Sequence, residues 1–297
     1  MLVFLFPGQG AQAPEMFDLV FSEPEFRERY ELICNVTGLD LIATLENSGT
    51  GHLDSNLFSS LMTALVSSVA LDRFRAQTGT TPTFAAGYSV GQWSAMYSAG
   101  MVTFEELVRT LALRVALMND CVALEPSAMC AVIGLPESRI EPILAGLRDQ
   151  GLPVYISNYN CFAQYSISGT VEAIETAEAL LKVANPKKLV RLPVSGGWHC
   201  PLLNNAAERF SSMLDVLDLR PPQFPVVDNV TGAWLPTEGC ALRAALSRHL
   251  NHPVRWEAGV KQLLSAGASE FVELGYGRML TNFGLFIDRD ATWRRFN

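Results

Sequence analysis

The feature that most constrains the fold is a short apolar segment that runs through a glycine-flanked serine straight into a helical pattern. Phe84-Ala85-Ala86 has the composition of a buried strand, Gly87-Tyr88-Ser89-Val90-Gly91 follows at once, and residues 92–99 have helical spacing. A strand that turns sharply into a helix is typical of α/β proteins with a parallel sheet. The turn needs its glycines because a β-carbon would clash there. We therefore expect an α/β domain in which Ser89 stands at the end of a strand.

Other segments fit the same large α/β domain. The apolar run 1–6 stops at Pro7-Gly8, as a buried parallel strand does. Thr103 and Glu106 fit a capping box that opens a helix to about Asn119. The remaining predictions are a helix over 55–76, a strand at Val226 and Val227, a helix over 240–250 and a final strand over 271–274.

The middle of the chain has a different order of elements. Apolar patterns predict strands over 128–133, 154–157, 165–168 and 189–194, with helices over 137–149 and 171–182. The order β-α-β-β-α-β is that of a ferredoxin-like unit. We expect a large α/β-hydrolase-like domain with a parallel sheet, formed by 1–127 and 195–297, and an inserted ferredoxin-like subdomain, 128–194.

Composition excludes several classes of protein. The chain has 22 Lys and Arg against 30 Asp and Glu, a net charge of -8, which disfavours a general nucleic-acid binder. The sequence has no uninterrupted run of about 18 apolar residues, so we expect no membrane-spanning helix. The segment 1–6 lacks the pattern of a signal peptide, and six widely spaced cysteines without a Cys-x-x-Cys pair suggest reduced thiols. We expect a cytoplasmic protein without a metal or another cofactor.

A serine nucleophile needs a base, and the chain has four histidines. His52 lies in a polar loop and is expected to be solvated, while His249 and His252 flank a helix end that they could simply cap. His199 follows an apolar strand and two glycines, where active-site loops of α/β proteins gather. His199 is therefore the best-placed partner of Ser89, although a glycine-flanked turn with an incidental serine is the alternative.

A second glycine-rich loop follows the first strand. Phe6-Pro7-Gly8-Gln9-Gly10-Ala11-Gln12 contains G-x-G-x-x-A, which could indicate a dinucleotide site. Pro14 interrupts the helix that should receive the pyrophosphate, and no clear βαβ unit follows. The other interpretation is a tight loop whose glycines let the backbone approach a reacting centre.

Taken together, these segments resemble the malonyl-CoA:acyl carrier protein transacylase family, which includes the acyltransferase domains of fatty acid and polyketide synthases. Matching segments fall in family order over nearly the whole chain. They are 6–12, 87–91, Ser157-Asn158-Tyr159-Asn160 with Gln164 and Ile167-Ser168-Gly169, 194–200, Asp228-Asn229-Val230-Thr231-Gly232, His252-Pro253-Val254-Arg255-Trp256 and Glu273-Leu274-Gly275-Tyr276-Gly277.

The resemblance implies a role for each matching position. Ser89 would be the acylated nucleophile and His199 its general base. The backbone N–H groups of Gln9 and Val90 would form the oxyanion hole. His249 matches a position whose backbone carbonyl orients the catalytic histidine, so that its side chain need not matter.

Arg114 matches the family's arginine, which pairs with the malonyl carboxylate. A planar guanidinium can hold a carboxylate through two parallel hydrogen bonds. By itself, Arg114 would be interpreted as an ordinary solvated helix arginine. Its neighbours over 111–116 are apolar, however, and a cation among them needs a partner such as a bound anion.

Several residues depart from the family pattern. This chain has Tyr88, Gln92 and Tyr276 at positions where the family usually has His, Glu and Pro. It also has Cys161-Phe162-Ala163 where the family has a small residue, Pro and Gly. Trp198 occupies a position that tracks acyl-group size in polyketide synthases, so its bulk suggests a short or unbranched acyl group. Tyr88, Trp198 and Gln164 are the expected pocket residues.

The resemblance thus implies a malonyl-CoA:acyl carrier protein S-malonyltransferase with an acyl-serine intermediate. Its partners would be malonyl-CoA and the phosphopantetheine arm of a carrier protein, with neither nucleic acid nor membrane. The alternatives are an editing hydrolase of the same fold, an acyltransferase for another acyl group, a non-catalytic carrier-binding module and an oxidoreductase. Two basic clusters could dock an acidic carrier or merely be solvated: Lys182, Lys187, Lys188 and Arg191, and Arg289, Arg294 and Arg295.

Overall fold

A computed structural model describes residues 1–10, 12–48 and 52–296, so Ala11 of the first glycine-rich loop lies outside the described residues. The helices are α1 Pro24–Thr37, α2 Leu41–Ser48, α3 Asn56–Thr78, α4 Gly91–Ser98, α5 Phe104–Leu124, α6 Glu137–Arg148, α7 Val171–Val183, α8 Asn204–Leu214, α9 Gly239–Arg248, α10 Trp256–Ser265 and α11 Met279–Ile287. The strands are β1 Leu2–Phe6, β2 Phe84–Gly87, β3 Ser127–Ile133, β4 Val154–Cys161, β5 Gln164–Thr170, β6 Lys188–Arg191, β7 Glu270–Leu274 and β8 Thr292–Phe296.

The first sheet is parallel, with the strand order β2-β1-β7-β8. Its central strand β1 is the apolar run at the start of the chain, and Val3 to Phe6 are all buried, as expected of a parallel strand covered on both faces. The sheet confirms the α/β prediction. Two predictions about the strands were wrong. β8 follows the strand that was expected to be the last, and Val226 and Val227, expected to form a strand, form only isolated bridges.

The second sheet is antiparallel, with the strand order β4-β5-β3-β6. Together with α6 and α7 it has the expected β-α-β-β-α-β order, and its core is a separate buried apolar cluster. Strand β6 ends at Arg191, short of the expected 194, while β4 and β5 extend into a tight turn between Cys161 and Gln164. The domain boundaries at 127/128 and 194/195 remain a prediction.

Helices α3 and α5 pack against each other in the large unit. The capping box at Thr103 and Glu106 is present, so α5 begins where the sequence predicts. Within the described residues, α3 is the one helix long and apolar enough to cross a membrane, but 83% of its most apolar stretch is buried inside the fold. It therefore lies in the core of the fold.

The segments 24–37, 41–48, 204–214, 256–265 and 279–287 are helical although the sequence analysis assigned them no element. In the 24–37 helix the buried positions are Phe26 and Ile33 alone, which weakens the periodic signal in the sequence. Strand β4 of the small sheet is bonded to the segment before α10: Tyr159 donates to the Val254 carbonyl over 2.8 Å, and Val254 donates to that of Ser157 over 2.9 Å. These bonds hold the small sheet beside the end of β2, where Ser89 lies.

Candidate active site

The turn after β2 has the geometry of a nucleophile elbow. Ser89 has a φ of 52°, in the left-handed region that residues with a β-carbon rarely adopt. The flanking glycines are required by close approach, since a β-carbon on Gly87 would lie 1.9 Å from the Gly91 carbonyl oxygen. One on Gly91 would lie 2.2 Å from the Phe6 carbonyl oxygen. The turn thus places the Ser89 hydroxyl between the end of β2 and the start of α4, as the sequence predicts.

The structure brings Ser89 and His199 together from positions 110 residues apart. Ser89 Oγ lies 2.6 Å from His199 Nε2. His199 Nδ1 lies 3.0 Å from the backbone oxygen of His249, which can only accept, so Nδ1 carries the proton. Nε2 is then the acceptor for the serine hydroxyl. This arrangement lets His199 take the proton from Ser89 as a general base.

His199 is buried and uncharged at neutral pH. Burial, together with the positive charge of Arg114, lowers the pKa of the His199 imidazole to about 3. His52 is exposed, as expected, and His252 is partly buried beside His199. A neutral imidazole is the form that can accept a proton.

Arg114 is a buried cation without a partner in the part of the chain that the structure describes. It is 1% exposed on α5, and its Nε and Nη1 atoms have no hydrogen-bond partner in the described part of the chain. Burial lowers the pKa of the guanidinium to about 10, and its charge lowers the pKa of both His199 and His249. The alternative of a solvated helix arginine is therefore wrong. An unpaired cation inside a protein is a ready site for a substrate anion.

Gln9 lines the same cavity as Ser89, and Val90 follows the serine in the chain. Gln9 Nε2 is 2.8 Å from both Asn56 Oδ1 and Ser59 Oγ on α3, which anchors the loop after β1. Neither the Gln9 nor the Val90 backbone N–H donates to a protein acceptor in the parts of the chain that are described. Both groups thus remain available for an oxyanion at Ser89.

The glycine-rich loop after β1 fits the second of its two interpretations. A β-carbon on Gly8 would lie 2.5 Å from the Tyr88 carbonyl oxygen, so this glycine lets the loop approach the elbow. A short 3-10 helix, Pro14–Leu19, follows the loop in place of the long helix that would receive a pyrophosphate.

A cavity of about 240 Å³ lies between the two sheets, with Ser89 and His199 in its wall. The three expected pocket residues Tyr88, Trp198 and Gln164 also line it, together with Phe283 of α11. The Tyr88 hydroxyl donates to Asn160 Oδ1 over 2.7 Å. Arg114 adds no surface to this cavity. A wider cavity of about 810 Å³ shares Gln164 and Phe283 with it and continues to Arg289.

Asn229 is a residue of the site to which the sequence analysis gave no role. Its Oδ1 accepts from the Ser89 N–H over 2.7 Å, and its Nδ2 donates to the Gly87 carbonyl over 2.6 Å. Its own N–H donates to Gln92 Oε1 over 2.6 Å. Asn229 thus bonds both sides of the elbow. The Asp228-Asn229-Val230-Thr231-Gly232 segment was the available signal, but only as a family match.

Comparison with known proteins identifies the family of the chain. The sequence profile of the acyl transferase domain matches residues 3–282. A malonyl CoA-acyl carrier protein transacylase of Escherichia coli is 34% identical over 280 residues, which cover 94% of this chain and 90% of the relative. The chain belongs to the malonyl-CoA:acyl carrier protein transacylase family.

Solved structures of the transacylase family share the whole fold. The malonyl-CoA:acyl carrier protein transacylase of Xanthomonas oryzae superposes with a TM-score of 0.93 at 29% identity, covering 99% of this chain and 93% of that one. A malonyl-transacylase in complex with a type II polyketide synthase acyl-carrier protein has a TM-score of 0.89 at 31% identity, covering 99% and 94%. The expected α/β architecture is thus that of the transacylase family.

Proposed function

We propose that this protein transfers a malonyl group from coenzyme A to the phosphopantetheine thiol of an acyl carrier protein. The single observation that carries the proposal is the 2.6 Å contact of Ser89 Oγ with His199 Nε2 in the elbow. With it goes a buried Arg114 whose charge acts on His199 and whose Nε and Nη1 have no partner among the described residues. The contact supplies a nucleophile and a base, and the cation explains a preference for an acyl group that ends in a carboxylate.

The first half-reaction acylates Ser89. His199 Nε2 takes the hydroxyl proton while Ser89 Oγ attacks the thioester carbonyl carbon. The Gln9 and Val90 N–H groups stabilise the resulting oxyanion; loss of one such donor typically costs about 3 kcal/mol of transition-state stabilisation. The tetrahedral intermediate then collapses, the C–S bond breaks, and His199 returns its proton to the coenzyme A sulfur.

The second half-reaction runs through the same groups in reverse. His199 takes the proton from the phosphopantetheine thiol, whose sulfur attacks the malonyl-serine ester. The C–O bond to Ser89 breaks, and His199 protonates the serine oxygen. The His249 carbonyl stabilises the positive imidazole in both halves because it accepts from His199 Nδ1.

Arg114 would pair with the malonyl carboxylate in the acyl-enzyme. Since the guanidinium contributes no surface to the cavity, pairing requires side chains near Ser89 to open a path as the acyl group arrives. The carboxylate would then replace the missing hydrogen-bond partners of Arg114 and neutralise a buried charge. An uncharged acyl group would leave the cation unpaired.

An acidic carrier protein would dock on one of the two basic clusters. In the first cluster Lys187 and Lys188 are exposed near the edge strand β6, and Arg191 pairs with Glu178. In the second cluster Arg289 lines the wide cavity that adjoins the site, and Arg294 pairs with Glu270. We place the enzyme in the cytoplasm, where coenzyme A thioesters and carrier proteins would be its substrates.

The test is covalent labelling by malonyl-CoA, measured by intact-protein mass spectrometry and peptide mapping. Wild type should gain one malonyl group on Ser89, and Ser89→Ala should gain none. Ser98→Ala, at a buried serine of α4, is the matched control and should be labelled like wild type. Labelling of Ser89→Ala at the wild-type rate would reject the proposed intermediate.

A further inference from the structure

His249 contacts both members of the candidate catalytic pair. It follows α9 as the C-terminal cap and is fully buried. Its backbone oxygen lies 3.0 Å from His199 Nδ1, while its ring Nε2 lies 3.1 Å from the backbone oxygen of Ser89. The family resemblance assigns a role to the backbone of this residue alone. The ring contact is therefore a feature that no sequence argument assigned.

The directions of these hydrogen bonds follow from their acceptors. A backbone carbonyl can only accept, so His249 carries its proton on Nε2 and His199 carries its proton on Nδ1. His249 Nδ1 is then unprotonated, and it has no hydrogen-bond partner within the described residues. The bonds form a closed path: Ser89 hydroxyl to His199, His199 to the His249 carbonyl, and the His249 ring back to the Ser89 carbonyl.

We propose that the imidazole of His249 is a positioning residue, which holds the Ser89 elbow in register with His199 by donating to the Ser89 carbonyl. The inference rests on the proposed function, because it assumes that Ser89 is the nucleophile. The ring itself touches neither the acyl group nor the proton that is transferred. Its effect is on the distance and angle between Ser89 Oγ and His199 Nε2.

The surroundings of the ring support a fixed position. It packs edge-on against Trp93 of α4, with ring centroids 6.3 Å apart at 90°, and against His199 at 5.6 Å and 84°. Burial and the charge of Arg114 lower its pKa well below the ordinary value, so the ring stays neutral with one N–H. A left-handed serine persists only when its surroundings determine it, and the ring is one such constraint.

Three substitutions at position 249 test the role of the ring alone, because each of them keeps the backbone carbonyl that accepts from His199. His249→Leu has similar bulk but no donor. His249→Gln keeps an amide N–H at a reach close to that of Nε2. His249→Asn has the same amide on a shorter stem. His52→Gln, at an exposed histidine far from these contacts, is the control for loss of a histidine.

The primary measurement is the single-turnover rate of Ser89 acylation by malonyl-CoA. We expect His249→Leu to lower this rate by about 10- to 100-fold, since a displacement of about 1 Å can cost 100-fold. The KM for malonyl-CoA should change less than about threefold, because the ring binds no substrate. His249→Gln should recover the rate to within about fivefold of wild type, a rescue that general loss of packing would not produce.

A second measurement removes malonyl binding from the comparison. Phosphonylation of Ser89 by an uncharged fluorophosphonate depends on the serine–histidine geometry and should fall in parallel with acylation. If His249→Leu does not fold, the comparison of His249→Gln with His249→Asn decides, and the asparagine variant should be the slower by about tenfold.

Three results would overturn the inference: His249→Leu acylating within twofold of wild type, His249→Gln as slow as folded His249→Leu, or His249→Asn as fast as His249→Gln. None of these contradicts the proposed function, which fails separately if wild type itself is not acylated on Ser89.

Discussion

At the residue scale, the proposed choice of substrate rests on the environment of Arg114. A cation placed among apolar side chains with two unpaired donors is costly to the apoprotein. A protein can tolerate a buried cation of this kind when a bound ligand supplies the missing partner. The sequence placed Arg114 in an apolar stretch, but only the structure shows that no carboxylate of the described chain pairs with it.

We predict that Arg114→Ala reverses the acyl preference. The loss of a charge-assisted pair of about 1.5–3 kcal/mol should lower kcat/KM for malonyl-CoA roughly 10- to 150-fold and leave acetyl-CoA much less affected. Acylation rates with both thioesters measure the ratio. Arg109→Ala removes an exposed arginine of the same helix that pairs with Glu105, and it should leave the ratio unchanged. An unaltered malonyl preference in Arg114→Ala would remove this residue from the site.

At the scale of elements, the elbow is stabilised by a segment far from it in sequence. Asn229 bonds the N–H of Ser89 and the carbonyl of Gly87, and Gln92 in turn accepts from the Asn229 N–H. The two side chains join β2, α4 and the 228–232 turn into one unit. Asn229 takes the Ser89 N–H, whereas the Val90 N–H has no acceptor among the described residues.

Asn229→Ala should therefore lower both stability and serine reactivity. Two buried backbone groups lose their partners, which predicts a decrease in the free energy of unfolding of about 1–3 kcal/mol. Urea denaturation measures this change, and the fluorophosphonate reaction measures the reactivity of Ser89. Asn119→Ala, at an exposed asparagine of α5, is the control. Wild-type stability together with a wild-type labelling rate would show that the bonds of Asn229 do not support the elbow.

The helices and strands that the sequence predicted are those with a strong local pattern. β1, β2, α3 and the capped start of α5 were predicted because their signals lie within a few residues. β8, Thr-Trp-Arg-Arg-Phe, was missed since an edge strand with exposed arginines has no apolar run. α11 was missed in part because Glu273 of β7, rather than a residue at its own start, accepts from its first N–H groups.

At the scale of the whole molecule, burial of the site makes folding stability depend on pH. The pKa of His199 is about 3 in the folded protein against an ordinary value of 6.5, and that of His249 is lowered as well. Below pH 6.5 the unfolded chain binds protons that the folded chain does not. The stabilisation is therefore complete above pH 6.5 and is lost as the pH falls toward 3, by about 1.4 kcal/mol per pH unit for His199.

His199→Gln should remove one of these protonation sites. Going from pH 7 to pH 5, the free energy of unfolding of wild type should fall by about 2 kcal/mol more than that of His199→Gln. Urea denaturation at the two pH values gives this difference, and His52→Gln, which alters an exposed histidine, should follow wild type. Identical pH dependence of wild type and His199→Gln would contradict the buried, neutral state of His199.

The sequence by itself determined what depends on neighbours along the chain: the sharp turn at Ser89, the helix start at Thr103, the order of elements in the small sheet and, through ordered motifs, the family. Tertiary structure alone decided that His199 and Ser89 are in contact, that Asn229 bonds the elbow, that the His249 ring reaches the Ser89 carbonyl and that Arg114 has no partner within the described residues. The physical reason is that turns and caps are formed by groups a few bonds apart. These contacts instead depend on how strands and helices more than 100 residues apart pack together.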